Sequence, residues 1–129
     1  MENILKGKQI LVVEDEEINW FLIRDILHSY QALTTWAEVG RRAIDLIEAG
    51  EYFDAVLMDI NLPSMDGFEV TRRILQLRPE MPVIAQTAFA LNEEIQMCYQ
   101  AGCVGHVCKP FTVQELVSVV ESVLSGEEN

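Results

Sequence analysis

The sequence predicts an α/β domain, a five-stranded parallel sheet with helices on both faces. Three observations carry that prediction. Five short, β-rich apolar runs alternate strictly with five longer segments whose apolar residues recur at helical spacing. Gly50, Gly102, Pro63 and Pro82 fall between those segments. The chain has 129 residues, half of them hydrophobic and 23% charged, which suits one globular domain spanning 1–129 with a substantial core.

Each element can be justified in turn. The first strand is Gln9–Val13, followed by a helix over Glu17–Tyr30 with Leu22, Ile23, Ile26, Leu27 and Tyr30 on one broad face. The second strand is Ala32–Trp36, and its helix runs Gly40–Ala49 around Ala43, Leu46 and Ile47. The third strand, Ala55–Met58, precedes a helix over Gly67–Leu77 striped by Val70, Ile74 and Leu77. Asp66 reads as a turn residue before Gly67. The fourth strand is Val83–Gln86, with a helix over Asn92–Ala101 carrying Ile95, Cys98 and Tyr99. Asn92 is its expected N-cap, with Glu93 and Glu94 in the first turn. The last pair is Val104–Cys108 and Val113–Leu124. Gly50 and Gly102 stand where helices should stop.

Strict alternation and right-handed crossovers leave few topologies. For five strands the expected order is 2-1-3-4-5, the flavodoxin-like arrangement. Its ligands sit beyond the strand C-termini, where the order switches between the first and third strands.

Charge narrows the function. A net charge of −12 argues against nucleic-acid binding and against docking on anionic membranes. No apolar run approaches a membrane span, and no signal peptide opens the chain. Cysteines at 98, 103 and 108 are odd in number and lack zinc-site spacing, so free thiols and a cytoplasmic setting are expected.

The stretch LVVEDEE, residues 11–17, runs a buried strand straight into four carboxylates. Two like charges about 4 Å apart cost about 4 kcal/mol at an effective dielectric near 20. Other strand ends explain the crowding. The third ends at Asp59, the fourth at Thr87 and the fifth at Lys109 and Pro110. Glu14, Asp15 and Asp59 thus converge with one hydroxyl and one ammonium. Such a cluster suits Mg²⁺, a hard cation that takes oxygen ligands and bridges phosphoryl oxygens. A carboxylate beside it can act as a nucleophile toward phosphorus. Glu16 and Glu17 read as an acidic helix start.

In order and one β–α unit apart, these residues resemble the receiver domain of two-component response regulators over about residues 8 to 125. "MDINLPSMDGFEV" and "IAQTAFA" look most like receivers of hybrid sensor histidine kinases. The resemblance implies that Asp59 accepts a phosphoryl group and later loses it to water. It implies that Glu14, Asp15, Asp59 and the backbone carbonyl of Asn61 hold Mg²⁺. Thr87 and Lys109 would contact the phosphoryl group, and the Lys109–Pro110 peptide would be cis. The implied partner is a histidine kinase or a histidine phosphotransfer domain, with a homodimer on phosphorylation left open. The parent would be a hybrid kinase, whose cytoplasmic part this would be, or a stand-alone regulator. Two positions depart from the family. His106 stands where a switch Tyr or Phe is usual, which argues against the usual aromatic switch; a switch role beside Thr87 and an ordinary strand-end role both stay open. Trp20 follows Asn19 where hybrid receivers often carry a basic residue.

Competing classes fit less well. A haloacid-dehalogenase-type phosphatase needs DxDx[TV] after the first strand, where this chain has EDEEI. A flavodoxin needs amides and hydroxyls there for phosphate, and EDEE would repel it. A pseudo-receiver is disfavoured by the intact Asp59, Thr87 and Lys109. At the first helix, Ile18 and Phe21 turn from the core stripe with Trp20 on its border, a candidate partner surface. Trp36 and Cys108 are expected to pack.

Overall fold

A computed structural model describes residues 3–63, 65–88 and 91–126. The elements are β1 (Gln9–Val13), α1 (Glu17–Ser29), β2 (Leu33–Ala37), α2 (Gly40–Glu48), β3 (Ala55–Asp59), α3 (Gly67–Leu77), β4 (Val83–Thr87), α4 (Asn92–Ala101), β5 (Gly105–Cys108) and α5 (Val113–Ser125). All strands pair in parallel in the order β2-β1-β3-β4-β5. This is the expected flavodoxin-like arrangement. No helix among the described residues is long and apolar enough to cross a membrane.

Side chains alternate along a strand, so the sheet feeds two cores, one on each face. Leu11, Val13, Val56, Met58, Val83 and Ala85 pack with Ile47, Val70, Ile74 and Cys98 beneath α2, α3 and α4. Ile10, Val12, Leu57, Ile84 and Val107 pack with Ile23, Leu27, Leu116 and Val120 beneath α1 and α5. β3 and β4 are buried along their whole length, as strands covered on both faces should be. Leu5, in the turn before β1, is fully buried in the second core, a contact that sequence periodicity did not reveal.

The structure corrects several details. Leu22 is 47% exposed, and Trp20, 8% exposed, takes its place on the core stripe of α1. The reason is an aromatic partner: Trp20 stacks on Trp36 with centroids 5.3 Å apart. Trp20 therefore faces inward and leaves the candidate partner surface to Ile18 and Phe21. The N-cap of α4 is Leu91, and Asn92 is already helical, with no side-chain cap. β2 begins one residue late, because the Ala32 N–H bonds back to the Leu27 carbonyl and Gln31 takes a left-handed φ of 65°.

Asp66 caps α3: its carboxylate accepts from the Phe68 N–H at 2.9 Å. The next residue has no room for a side chain. A Cβ on Gly67 would lie 2.5 Å from the Asp59 carbonyl oxygen and 2.6 Å from the Ile60 Cα. The β3–α3 connection is thus packed directly on the backbone that carries Asp59. Gly67→Ala should cost about 1–3 kcal/mol in urea unfolding, the usual range for forced overpacking. An unchanged urea midpoint would mean that this backbone yields freely.

Candidate functional site

Alternation also sorts the polar residues at the strand C-termini. Glu14 continues the parity of Ile10 and Val12, Asp59 that of Leu57, Gln86 that of Ile84, and Lys109 that of Val107. These four share the side of the sheet covered by α1 and α5. Thr87 and His106 have the opposite parity and face α4.

On the α1 side, Glu14 is fully buried and Asp59 is 2% exposed. The Lys109 ammonium stands between them, with Nζ 3.0 Å from Asp59 Oδ2 and 3.2 Å from Glu14 Oε1. The other Asp59 oxygen accepts from the Asn61 N–H at 2.8 Å. Glu14 Oε2 accepts from the Glu16 N–H at 3.1 Å, and Oε1 also accepts from the Asn19 side-chain amide. The Glu14 backbone carbonyl accepts from the Trp36 indole at 2.7 Å, so the Trp20–Trp36 stack braces the strand end. Asp15 is exposed at the rim. The Lys109–Pro110 peptide is cis.

Burial pushes the Glu14 carboxyl above its ordinary value. The Asp59 charge adds to this, while Asn19 and Lys109 oppose it. Asp15 is also raised, by desolvation first and then by the neighbouring Asp59 and Glu16 charges. For Lys109, desolvation alone would lower the pKa, but Asp59 and Glu14 together outweigh it and hold it above the usual lysine value. Glu14, Asp15 and Asp59 present carboxylate oxygens that all lie within 4.8 Å of one another. An all-oxygen set with surplus negative charge suits a hard divalent cation.

On the α4 side, the Thr87 hydroxyl donates to Glu94. The Asn61 side chain reaches across to accept from the Ala88 N–H at 3.2 Å. His106 lies edge-on to Tyr99, with Nδ1 2.8 Å from the tyrosine hydroxyl. The structure therefore places His106 against α4 rather than against the carboxylates. Glu94, Tyr99 and Gln86 were not singled out from the sequence as site neighbours. The parity of β4 and β5 is the signal that could have found them.

A family profile of the response regulator receiver domain matches residues 10–121. The chain belongs to that family. Histidine kinase 3 of Arabidopsis thaliana is 35% identical over 90% of this chain, which spans 13% of that relative's length. The polar-differentiation response regulator DivK of Brucella ovis is 36% identical over 91% of this chain and 96% of its own. Among solved structures, the receiver domain of a sensor histidine kinase from Pseudomonas aeruginosa PAO1 is 35% identical, with a TM-score of 0.85 over 92% of this chain and 98% of its own. Its crystal structure has a magnesium ion coordinated in the active site cleft. This receiver is thus homologous both to domains within histidine kinases and to a single-domain regulator.

Lys109 is the cation paired with both buried carboxylates. Removing one partner of a buried ion pair leaves uncompensated charge and typically costs about 3–5 kcal/mol. Lys109→Met should lower metal-free stability by about that amount in urea unfolding. A loss within error of zero would mean that the two carboxylates do not both stay charged.

Proposed function

We propose that this receiver takes a phosphoryl group from a phosphohistidine onto Asp59, in a Mg²⁺-dependent step, and later releases it to water. The observation that carries the reading is the setting of Asp59. A nearly buried carboxylate at the end of β3 is held between the Lys109 ammonium and the Asn61 N–H, beside Glu14 and Asp15. In the transfer, an Asp59 oxygen forms the O–P bond as the N–P bond of the donor breaks and the imidazole leaves. Lys109 offsets charge on the phosphoryl oxygens. Glu14, Asp15, Asp59 and the Asn61 carbonyl would hold Mg²⁺, which supplies charge neutralisation when bound. Thr87 and His106, both facing α4, are the proposed residues through which the modified state reaches the surface.

The donor is proposed to be a histidine kinase or a histidine phosphotransfer domain, and the parent a hybrid histidine kinase. The donor imidazole must come in line with Asp59 across the strand C-termini, which brings its helix onto the start of α1. Ile18 is 85% exposed there and Phe21 39% exposed. The Arg24 guanidinium lies over the Phe21 ring, 4.8 Å from its centroid. These two apolar side chains supply contact area that an acidic rim does not.

Acetyl phosphate with Mg²⁺ should add one phosphoryl group to the protein, read by mass spectrometry. Asp59→Asn should add none, and modification of that variant to the wild-type extent would remove the assignment. Mg²⁺ at a hundredfold excess over its Kd should stabilise the wild type by about 2.7 kcal/mol.

Phe21→Ala tests the docking face. It should slow transfer from a histidine-phosphorylated partner about tenfold, equivalent to about 1.4 kcal/mol. Modification by acetyl phosphate should be unchanged, because a small donor needs no docking surface. Equal slowing with both donors would assign Phe21 to the fold.

A further inference from the structure

β4 contains one residue that its surroundings do not call for. Gln86 is fully buried, pairs with Asp59 across the β3–β4 ladder, and shares the face of Ile84 and Leu57 in the core beneath α1 and α5. Its Nε2 is a buried amide with no hydrogen-bond partner among the described residues. Burying an unpartnered amide opposes folding, and an apolar side chain would suit this position better.

Its side chain's one polar contact among the described residues indicates what the glutamine does. Glu14 is a carboxylate and only accepts, so the Asn19 group facing it must be the NH₂. That NH₂ also lies 3.4 Å from Gln86 Oε1. The Gln86 oxygen must therefore face Asn19, which leaves its own NH₂ buried without a partner among the described residues. A relay results, from Gln86 on β4 through Asn19 on α1 to Glu14 beyond β1. It ends on Glu14 Oε1, the same oxygen that Lys109 approaches at 3.2 Å.

We propose that Gln86 and Asn19 are positioning residues that together aim the Glu14 carboxylate into the acidic cleft for a divalent cation. The inference rests on the metal reading of that cleft given above. Neither residue touches the cation. Asn19 orients the carboxylate against the pull of Lys109, and Gln86 fixes the rotamer of Asn19 from below. Partners of this kind around metal-ligating carboxylates commonly set affinity by tenfold or more.

The test uses Gln86→Leu, Asn19→Ala and the double variant, each with Mg²⁺ as the probe. Two quantities are measured: the metal-free urea midpoint, and the Kd for Mg²⁺ from tryptophan fluorescence and thermal shift. Trp36 is bonded to the Glu14 carbonyl and so reports on that strand end. Gln86→Leu should keep or raise the urea midpoint while weakening Mg²⁺ binding about tenfold. The double variant should bind no more weakly than Asn19→Ala alone, because the two residues act in series. An unchanged Kd in Gln86→Leu overturns the proposal. So does a lowered midpoint accompanying the weaker binding, which would make Gln86 a packing residue, and so do multiplicative losses in the double variant. A wild-type protein that gives neither fluorescence change nor thermal shift with Mg²⁺ would overturn the metal reading itself, an outcome distinct from these.

Discussion

Two carboxylates with almost no access to water share one ammonium. Glu14 and Asp59 both reach Lys109, and Asp15 adds a third negative charge at the rim. At about 4 Å and an effective dielectric near 20, each like-charge pair costs about 4 kcal/mol, comparable to a large part of a domain's net stability. The fold tolerates this because every oxygen of the buried pair is engaged: Glu14 by Asn19, Lys109 and the Glu16 N–H, Asp59 by Lys109 and the Asn61 N–H. One positive charge still does not balance the site. Desolvation first, and then the neighbouring like charges, raise the Glu14 and Asp15 carboxyls, and a dication bound there would relieve the repulsion.

The cluster exists because of the period of a β-strand. Successive side chains alternate between faces, so residues of matching parity at four strand ends meet on one side of the sheet. Gly67 adds a second constraint. Its missing side chain lets α3 start against the backbone of Asp59 and Ile60, and Asp66 caps that start. The start of α3 is thus seated on the backbone that carries the nucleophile proposed for phosphoryl transfer.

Much of this was legible in the sequence because it follows from period and spacing. Five apolar runs in alternation with five helical stripes place Glu14, Asp15, Asp59, Thr87 and Lys109 at one edge of the sheet without any knowledge of contacts. The remainder depended on partners far apart in the chain. Trp20 and Leu22 are both compatible with a core stripe on α1, and only the ring of Trp36 decides between them. Asn92 has the chemistry of an N-cap, but the chain turns into the helix one residue earlier, at Leu91. Leu5 shows no periodicity at all in a short turn, yet it is fully buried in a core. Gln86 was hidden differently: a polar residue in an apolar strand signals a special site, but its partner Asn19 is 67 residues away.

The same alternation puts the charged cluster and the proposed switch residues on opposite faces of the sheet. Glu14, Asp59 and Lys109 face α1, while Thr87 and His106 face α4. A hydroxyl carries one proton, and that of Thr87 is donated to Glu94. Thr87 can therefore donate to a phosphoryl oxygen on Asp59 only by giving up Glu94. A ligand shifts a conformational equilibrium only by as much as it binds one state better than the other. An exchange of that contact at Thr87 would be such a difference, and it would lie between the site and the helix that also carries Tyr99, the partner of His106. His106 stands where Tyr or Phe was expected, and its Nδ1 is engaged by the Tyr99 hydroxyl. In this chain a change on the α4 face would thus begin with a hydrogen bond to Glu94, with His106 already tied to the same helix.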